Sequence, residues 1–328
     1  MSRPVFVSED AVKQVLAWPS MIRKLREVYA VEHPPFAGPP RTLARGKGIW
    51  MRTLTGVLPG GPVMGVKQFC FPRSKTVRYM ISIFDQDSGE LLALLDGRSI
   101  TALRTAATTA VAVDRMAPQG PAIVAMLGSG GEAHSHARAM AAIRPITEMR
   151  VFSPRQERRE AFARQFTQDT GVASRAVNSA REAVEGSTLI VGTTRPTDGK
   201  PALEGAWLKP GMLVASIGAT LPEHIEIDTA TIERCDFVVA DMPGEVMEET
   251  GCFQAASKAG IRFEHKFVSL NDLIAGKADG RMNASKQPMF RSVGASLQDL
   301  AVADLAYREA QRRGLAVELP MELSVKAD

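Results

Sequence analysis

The chain has few cysteines, no long apolar run and no concentration of charge, and each absence excludes a class of protein. Its three cysteines form no CxxC pair and have no histidine at metal-ligand spacing, so we expect neither a disulfide framework nor a metal site. An odd number of cysteines suits a reducing compartment. Because the N-terminal sequence also lacks a basic segment followed by an apolar core, we predict a cytoplasmic protein.

Membranes and nucleic acids are not expected as partners. No apolar run approaches the ~20 residues that a membrane span requires. The formal charge of +4 comes from basic residues that are scattered and not interleaved with aromatic residues, which is unlike a nucleic-acid surface. A small positive excess suits small anionic molecules instead. The length of 328 residues and the 45% hydrophobic content predict one large or two medium globular domains.

One glycine-rich stretch predicts a dinucleotide-binding turn. The apolar run 121–127 ends in Gly128, Gly130 follows, and Ala133 stands where a G-x-G-x-x-G/A fingerprint needs a small residue. These residues permit a tight turn, close approach to a pyrophosphate, and packing of the next helix, whose dipole favours the phosphates. An ordinary strand–helix turn is the alternative. The cofactor-binding residues predicted here are Gly128, Ser129, Gly130, Gly131, Glu132 and Ala133.

Alternating strand and helix patterns around this turn predict an α/β protein with a Rossmann-type, doubly wound parallel sheet. A short N-terminal helix is expected to stop at Trp18-Pro19, and residues 41–95 resemble consecutive strands with a hairpin. Arg291 to Arg313 reads as one long helix after a glycine turn at Gly294. We predict an NAD(P)-binding domain over 118–299 and a smaller α+β domain formed by 1–117 with 300–328. The predicted strands are 121–127, 147–152, 188–192, 213–217 and 236–240, and the predicted helices include 99–116, 131–143 and 156–168.

The residues after the second strand of this domain favour NADP(H) over NAD(H). An acid there would accept hydrogen bonds from the ribose 2′-hydroxyl, and no acid follows Phe152 directly. Ser153 can donate to a 2′-phosphate, and Arg155 or Arg158 can pair with it. NAD(H) stays an alternative, because Arg155, Arg158 and Arg159 also fit an ordinary solvated helix start.

Motifs spread over nearly the whole chain resemble the ornithine cyclodeaminase/mu-crystallin family. The segments with Thr-x-x-Arg-Thr-Ala-Ala and Ser-Val-Gly…Asp are the most specific. The resemblance implies a homodimer, an N-terminal substrate-binding and dimerisation domain completed by the C-terminal helix, and nicotinamide chemistry on amino or imino acids. The matching segments are Gly65-Val-Lys67, Leu95-Asp-Gly-Arg-Ser-Ile-Thr-Ala-Leu-Arg-Thr-Ala-Ala107, the glycine turn, Val191-Gly-Thr-Thr-Arg-Pro196, Leu208-Lys-Pro-Gly211, Ser216-Ile-Gly218, Gly276-Lys-Ala-Asp-Gly-Arg281 and Arg291-Ser-Val-Gly-Ala-Ser-Leu-Gln-Asp299.

The resemblance also implies roles for individual residues. Arg41, Lys67 and Arg104 match the cations that hold the substrate carboxylate, and Lys67 is the candidate proton donor to the imine-derived nitrogen. Considered alone, Lys67 and Arg104 fit surface positions equally well. Three cations on one carboxylate would fix the α-carbon for hydride transfer. The remaining cofactor-binding candidates are Thr105, Thr193, Thr194, Ser292 and Gly294.

Two departures from the family pattern argue against ornithine cyclodeamination. Thr220, a candidate substrate contact, stands where cyclising members have an aspartate, and a threonine cannot act as a base at neutral pH. Arg52 occupies the neighbourhood of an acid that engages a distal amine. It suggests a substrate with a second negative group, or else an exposed edge-strand residue. His224 is a candidate for proton transfer, whereas His134 and His136 are expected on a helix surface or at a dimer contact.

These observations together predict an NAD(P)H-dependent reductase of a carboxylate-bearing imine, or the reverse amino-acid dehydrogenase. A cyclic ketimine such as pyrroline-2-carboxylate fits Thr220, and an acyclic or dicarboxylic imino acid fits Arg52. Ornithine cyclodeaminase and a non-catalytic, NADPH-dependent binding protein of the crystallin type are the alternatives.

Overall fold

The computed structural model describes residues 3–34, 36–321 and 323–324. Its strands are β1 (Val5–Val7), β2 (Thr42–Gly46), β3 (Ile49–Val57), β4 (Val63–Phe71), β5 (Arg78–Asp85), β6 (Leu91–Asp96), β7 (Ala122–Leu127), β8 (Ile146–Phe152), β9 (Ser174–Ala176), β10 (Leu189–Gly192), β11 (Leu213–Ser216), β12 (Phe237–Ala240), β13 (Phe267–Ser269), β14 (Pro288–Arg291) and β15 (Val317–Glu318). Its α-helices are α1 (Glu9–Val15), α2 (Trp18–Ala30), α3 (Gly97–Met116), α4 (Gly131–Ile143), α5 (Gln156–Thr170), α6 (Ala180–Val184), α7 (Thr229–Arg234), α8 (Pro243–Glu249), α9 (Gly251–Lys258), α10 (Leu270–Ile274), α11 (Asp279–Ala284) and α12 (Ser296–Arg312).

The chain divides into two compact units. The first comprises Met1–Thr105 and Ala295–Asp328, and the second comprises Ala106–Gly294. The first division, between Thr105 and Ala106, falls inside α3. The predicted boundary was 117/118, at the end of this helix, where Pro118 follows. The second division falls just before α12, whereas the predicted boundary was 299/300. A helix with no proline and no glycine after Gly97 runs through the first division unbroken, so a helix end is a poor marker of a unit boundary.

The first unit is built on a seven-stranded sheet in the order β15-β1-β6-β5-β4-β3-β2. Strands β2 to β6 form an antiparallel meander that includes the predicted hairpin, β5 and β6. Helix α12 packs on one face of this sheet. Gly56 and Gly65 allow that close approach, because a Cβ at either position would lie 3.1 or 3.0 Å from a methyl carbon of Leu300.

The opposite face of this sheet presents exposed apolar side chains. Phe6, Met51, Val57, Met80 and Val317 are each more than a third exposed. The first four alternate with buried residues along their strands, and Val317 is the register partner of Phe6, which places all five on the face away from α12. One in-register row crosses six strands there: Val317, Phe6, Leu94, Ser82, Val66 and Thr55.

The second unit contains an eight-stranded, all-parallel sheet in the order β13-β12-β14-β11-β10-β7-β8-β9. Every residue of β10, β11, β12 and β14 is buried. Fully buried, apolar parallel strands are typical of sheets covered by helices on both faces. This is the doubly wound α/β sheet that the sequence predicted.

One local prediction needs adjustment and two were wrong. The short helix α1 does end ahead of Trp18-Pro19, at Val15, but Pro19 itself lies in the first turn of α2, where a helix has no use for the N–H that proline lacks. Arg291 ends the buried strand β14, and the long helix begins only at Ser296, after the turn at Gly294 with φ of +87°. His136 is fully buried and contacts Thr109 Oγ1 at 3.2 Å, so it lies on neither a helix surface nor an exposed contact.

No helix among residues 3–34, 36–321 and 323–324 has both the length and the apolar character needed to cross a bilayer. Nor do those residues bring three histidine, cysteine or acidic side chains together in a way that would hold a metal ion.

Candidate functional site

Two of the cations predicted to hold a carboxylate, Lys67 and Arg104, meet at one buried acid, Asp299. Lys67 Nζ lies 2.7 Å from Asp299 Oδ2, and Arg104 Nε donates to Asp299 Oδ1 at 2.8 Å. Gln298 Oε1 accepts a second bond from Arg104 Nη1 at 2.7 Å, and Gln298 Nε2 donates to the Tyr29 hydroxyl at 2.9 Å. Lys67 is 2% exposed and Asp299 is completely buried. These side chains form one buried, hydrogen-bonded ion group.

The sheet register explains why Lys67 faces inwards. It lies opposite Leu54 on β3 and Ile81 on β5, and both of these side chains are buried under α12. Asp299 is in the first turn of α12, where a negative charge interacts favourably with the helix dipole. The side chains of β4 and α12 therefore meet at the helix N-terminus.

Burial lowers the pKa of Lys67 to about 7, because an ammonium group loses its hydration inside the protein. The charge of Asp299 and its hydrogen bond act in the opposite direction, whereas the charges of Arg104 and Arg41 lower the pKa further. Arg41 is thus close enough to act on Lys67, and the three predicted cations share one neighbourhood. A lysine with a pKa near 7 can give or take a proton at neutral pH.

Arg52 lies on the same sheet face and is buried, so the alternative of an exposed edge residue was wrong. Its guanidinium carbon is 5.5 Å from the ring centroid of Trp50. Its register partner is Phe69, whose ring centroid lies 5.6 Å from Lys67 Nζ. Arg52 and Lys67 are therefore diagonal neighbours on one face of β3 and β4, with Trp50 beside the first and Phe69 beside the second. We call the four neighbouring rings the aromatic cluster: Trp50, Phe69, Phe71 and Tyr79.

The glycine turn has the geometry that a dinucleotide requires. Gly128 has φ of +121°, and a Cβ there would collide with Thr193 Oγ1. Gly130 begins α4 as its N-cap, and a Cβ at Gly130 or Gly131 would meet nothing within 4 Å. Open space therefore lies beside the first amides of a thirteen-residue helix, which suits a pyrophosphate. Ala133 is fully buried, as close helix packing requires.

The ends of β7 and β8 meet through two hydroxyl groups, Ser129 Oγ and Ser153 Oγ, at 2.8 Å. Arg155 and Arg158, at the start of α5, are exposed. Arg159 differs from them: it is buried, donates to the Ser153 carbonyl at 3.0 Å and lies over the Phe152 ring. Two arginines thus face solvent beside the serine pair, while the third shapes the loop.

A buried acid that the sequence analysis missed, Glu226, organises the predicted threonines. Its Oε1 accepts from the Thr194 amide at 2.6 Å, and its Oε2 accepts from Ser216 Oγ at 2.6 Å and the Gly218 amide at 3.2 Å. Thr193 Oγ1 donates to the Leu127 carbonyl, next to the glycine turn. Glu226 therefore links the loops after β10 and β11, at the sheet edge where doubly wound proteins bind ligands.

A second missed acid, Asp241, holds the segment with Ser292 and Gly294. It accepts from Ser292 Oγ at 2.6 Å and from the amides of Val293 and Gly294 at 3.0 and 2.9 Å. Asp241 directly follows β12, and a polar residue at the end of a buried strand is the signal that could have found it.

Other candidates occupy less distinctive positions. Thr105 Oγ1 donates to the Thr101 carbonyl within α3, and Thr220 lies half-buried in the loop after β11. His224 is partly buried, and the loss of hydration lowers its pKa. Glu132 is partly exposed at the start of α4.

Comparisons with known proteins agree on one family. The sequence profile of the ornithine cyclodeaminase/mu-crystallin family matches residues 71–314. Ketimine reductase mu-crystallin from Mus musculus is 33% identical over 69% of this chain and 68% of its own. Delta(1)-pyrroline-2-carboxylate reductase from Bacillus cereus is 29% identical over 74% of each chain. The solved structure of the Thermococcus litoralis Delta(1)-pyrroline-2-carboxylate reductase, in complex with NADH and L-proline, shares the fold with a TM-score of 0.87. It is 24% identical and covers 96% of this chain and 100% of that chain.

Replacing Glu226 with glutamine should destabilise the second unit. A glutamine NH₂ group would face the Thr194 or Gly218 amide hydrogen and leave a buried donor without an acceptor, at about 2 kcal/mol. Urea unfolding of Glu226→Gln measures this loss, with the exposed Glu185→Gln as the control. Equal stability of the two variants would contradict the role of Glu226.

Proposed function

Since the chain belongs to the ornithine cyclodeaminase/mu-crystallin family, we propose that it is an NAD(P)H-dependent reductase of a carboxylate-bearing imine. Two of its relatives are named as ketimine and pyrroline-2-carboxylate reductases. The observation that carries the proposal is the buried group of Lys67 and Arg104, with Arg41 in the same neighbourhood. It combines a carboxylate-binding set of cations with a lysine that can exchange a proton near neutral pH.

The reaction adds a hydride, which is a proton with two electrons, to the carbon of a C=N bond and a second proton to its nitrogen. The reduced nicotinamide, when bound, supplies the hydride to the imine carbon. Arg41, Lys67 and Arg104 hold the substrate carboxylate and so fix the position of the neighbouring carbon. Lys67 Nζ donates the other proton to the imine nitrogen. The reverse reaction, amino-acid oxidation, uses the same groups with Lys67 as the base.

The two alternatives fit the site less well. Ornithine cyclodeamination needs a carboxylate where Thr220 stands, and a hydroxyl cannot replace it as a base. The buried Lys67, whose pKa is lowered to about 7 and which contacts Asp299, favours a catalytic role over binding without turnover. Perturbed acids and bases of this kind cluster at catalytic sites.

Arg52 favours a substrate with a second carboxylate. It lies on the same sheet face as Lys67 and is its diagonal neighbour, since Arg52 pairs with Phe69 and Lys67 pairs with Leu54 across β3 and β4. An imino acid with a carboxylate on its side chain would place one anion on each cation group. A cyclic ketimine would instead lay its ring against the aromatic cluster.

Assembly and compartment complete the proposal. The face of the first unit's sheet away from α12 extends across six strands and carries exposed apolar side chains. Such a face suits contact with a second copy of the chain. We therefore propose a homodimer through this face. The three cysteines are free thiols in the structure, which suits the cytoplasm.

We also propose NADP(H) as the preferred cofactor. Ser129 and Ser153 form a hydroxyl pair at the tip of β8, and the exposed Arg155 and Arg158 are available to a 2′-phosphate. No acidic residue directly follows β8, where it would accept hydrogen bonds from the ribose 2′-hydroxyl of NAD(H).

The purified protein should oxidise NADPH in the presence of pyrroline-2-carboxylate or a dicarboxylic imine formed from a keto acid and ammonia. Nicotinamide absorbance follows the reaction. Lys67→Met, which keeps the length of the side chain without its charge, should lose at least ~100-fold in kcat/KM because general-acid catalysis is removed. Rapid release of ammonia and proline from ornithine would instead indicate a cyclodeaminase, and bound NADPH without turnover would indicate a binding protein.

Arg155→Ala should raise the KM for NADPH about 10-fold and leave that for NADH nearly unchanged, since one charge-assisted bond to the 2′-phosphate is lost. Arg158→Ala should act in the same direction. Arg164→Ala is the matched control, because Arg164 is an exposed arginine of the same helix that pairs with Glu160. Equal effects of Arg155→Ala on both cofactors would refute the NADP(H) preference.

The double variant Phe6→Glu/Met80→Glu should be a monomer by size-exclusion chromatography with light scattering, whereas the parent chain should be a dimer. Both side chains are more than a third exposed within one chain, so the charges disrupt an interface and leave the fold intact. Val31→Glu, at an exposed apolar position at the end of α2, is the control. A monomeric parent protein would rule out the homodimer.

A further inference from the structure

We propose that Asp299 is a positioning residue for imine reduction: it orients Lys67 and Arg104 and supplies the negative charge that keeps Lys67 protonated. The inference rests on the proposed function, because it explains how the same site is kept ready for substrate. Asp299 reaches no substrate itself, since its oxygens are engaged by the two cations from the side of α12.

The geometry gives each oxygen of Asp299 one cation. Oδ2 contacts Lys67 Nζ at 2.7 Å, and Oδ1 accepts from Arg104 Nε at 2.8 Å. Gln298 accepts from Arg104 Nη1, which holds the guanidinium at a second point. Arg104 Nη2 takes part in neither bond, and we assign it to the substrate carboxylate. The fork of the arginine is thereby fixed before substrate arrives, which reduces the entropy lost on binding.

The charge balance makes this acid necessary. The charges of Arg104, which is buried, and of Arg41, which is only partly buried, both act on Lys67, and this repulsion favours loss of the lysine proton. Removing one partner from a buried ion group leaves an uncompensated charge. With Asp299 present, the group has a net charge of +2, so it still attracts a substrate carboxylate.

The elements packed against β4, which are β3, β5 and α12, also carry other charged side chains. β3 contributes Arg52, which is over Trp50, and β5 carries Arg78 and Asp85 at its two ends. On α12, Asp304 is also buried, but it pairs with Arg308 Nε at 2.8 Å and with Lys24 Nζ at 3.4 Å. Asp299 is the carboxylate in contact with Lys67.

This arrangement also serves the proton transfer. When Lys67 Nζ gives a proton to the imine nitrogen, the neutral amine that remains can still donate a hydrogen bond to Asp299 Oδ2. The lysine therefore keeps its position until a proton from solvent restores its charge.

The test compares Asp299→Asn with Asp304→Asn. Asparagine keeps the shape of the side chain and removes its charge. Asp304 is the matched control, because it is a buried acid of the same helix that pairs with two other cations. Asp299→Asn should reduce kcat/KM at neutral pH by ~10-fold or more and move the pH at which activity is half lost at least about one unit lower, since the protonated lysine loses its counter-charge. Asp304→Asn should leave that pH unchanged.

A second readout does not need turnover. The affinity for pyrrole-2-carboxylate, an imino-acid analogue, should fall as the pH rises through about 7 in the parent protein and at lower pH in Asp299→Asn. If the parent protein binds this anion but reduces no imine, the proposed function fails while the role of Asp299 is still tested. An unchanged pH dependence in Asp299→Asn would overturn the inference.

The double variant Lys67→Met/Asp299→Asn distinguishes loss of the Lys67–Asp299 pairing from a general loss of folding. If Asp299 acts through Lys67, removal of both charges should restore thermal stability relative to Asp299→Asn alone. Strictly additive losses would show that the two side chains act independently and would also overturn the inference.

Discussion

An ammonium group inside an apolar sheet is the constraint on which the first unit depends. Lys67 is buried between Leu54 and Ile81, where its charge is strongly unfavourable unless an acid reaches it. Asp299 meets that requirement only if the N-terminus of α12 lies directly over β4. Gly56 and Gly65 make this approach sterically feasible. The site and the packing of the unit are thus two aspects of one arrangement.

The second unit solves a related problem with buried acids that accept backbone amides. Glu226 joins the loops that follow β10 and β11, and Asp241 fixes the segment 292–294. Both acids act at the carboxyl ends of parallel strands, where loops would otherwise be the most mobile part of the sheet. Hydrogen bonds to buried carboxylates are strong, so these loops are held in place before any ligand binds.

Local sequence patterns predicted those parts of the molecule that depend on local physics. The turn from β7 to α4 was predicted because Gly128 and Ala133 are each needed within a few residues of one another. Strand β14 was missed because four residues that begin with a proline carry no periodicity. Arg155 and Arg159 looked equivalent, yet Arg155 is the N-cap residue, outside α5 and exposed, whereas Arg159 lies within the helix, buried over the Phe152 ring. Asp299 was within a recognised motif, but its partners are far away along the chain, and no local pattern reports such a pairing.

The first unit is assembled from the two ends of the chain, with the second unit inserted between them. Strand β1 pairs with β15, and Arg104 is bonded to an acid 195 residues later. During synthesis, the contiguous second unit can complete its sheet while α12 is still unmade, but the first unit cannot. Lys67 can therefore pair with Asp299 only after α12 has left the ribosome. Until α12 is made, Lys67 and Arg104 lack the acid that compensates their charges, and the face of the sheet that α12 covers stays open.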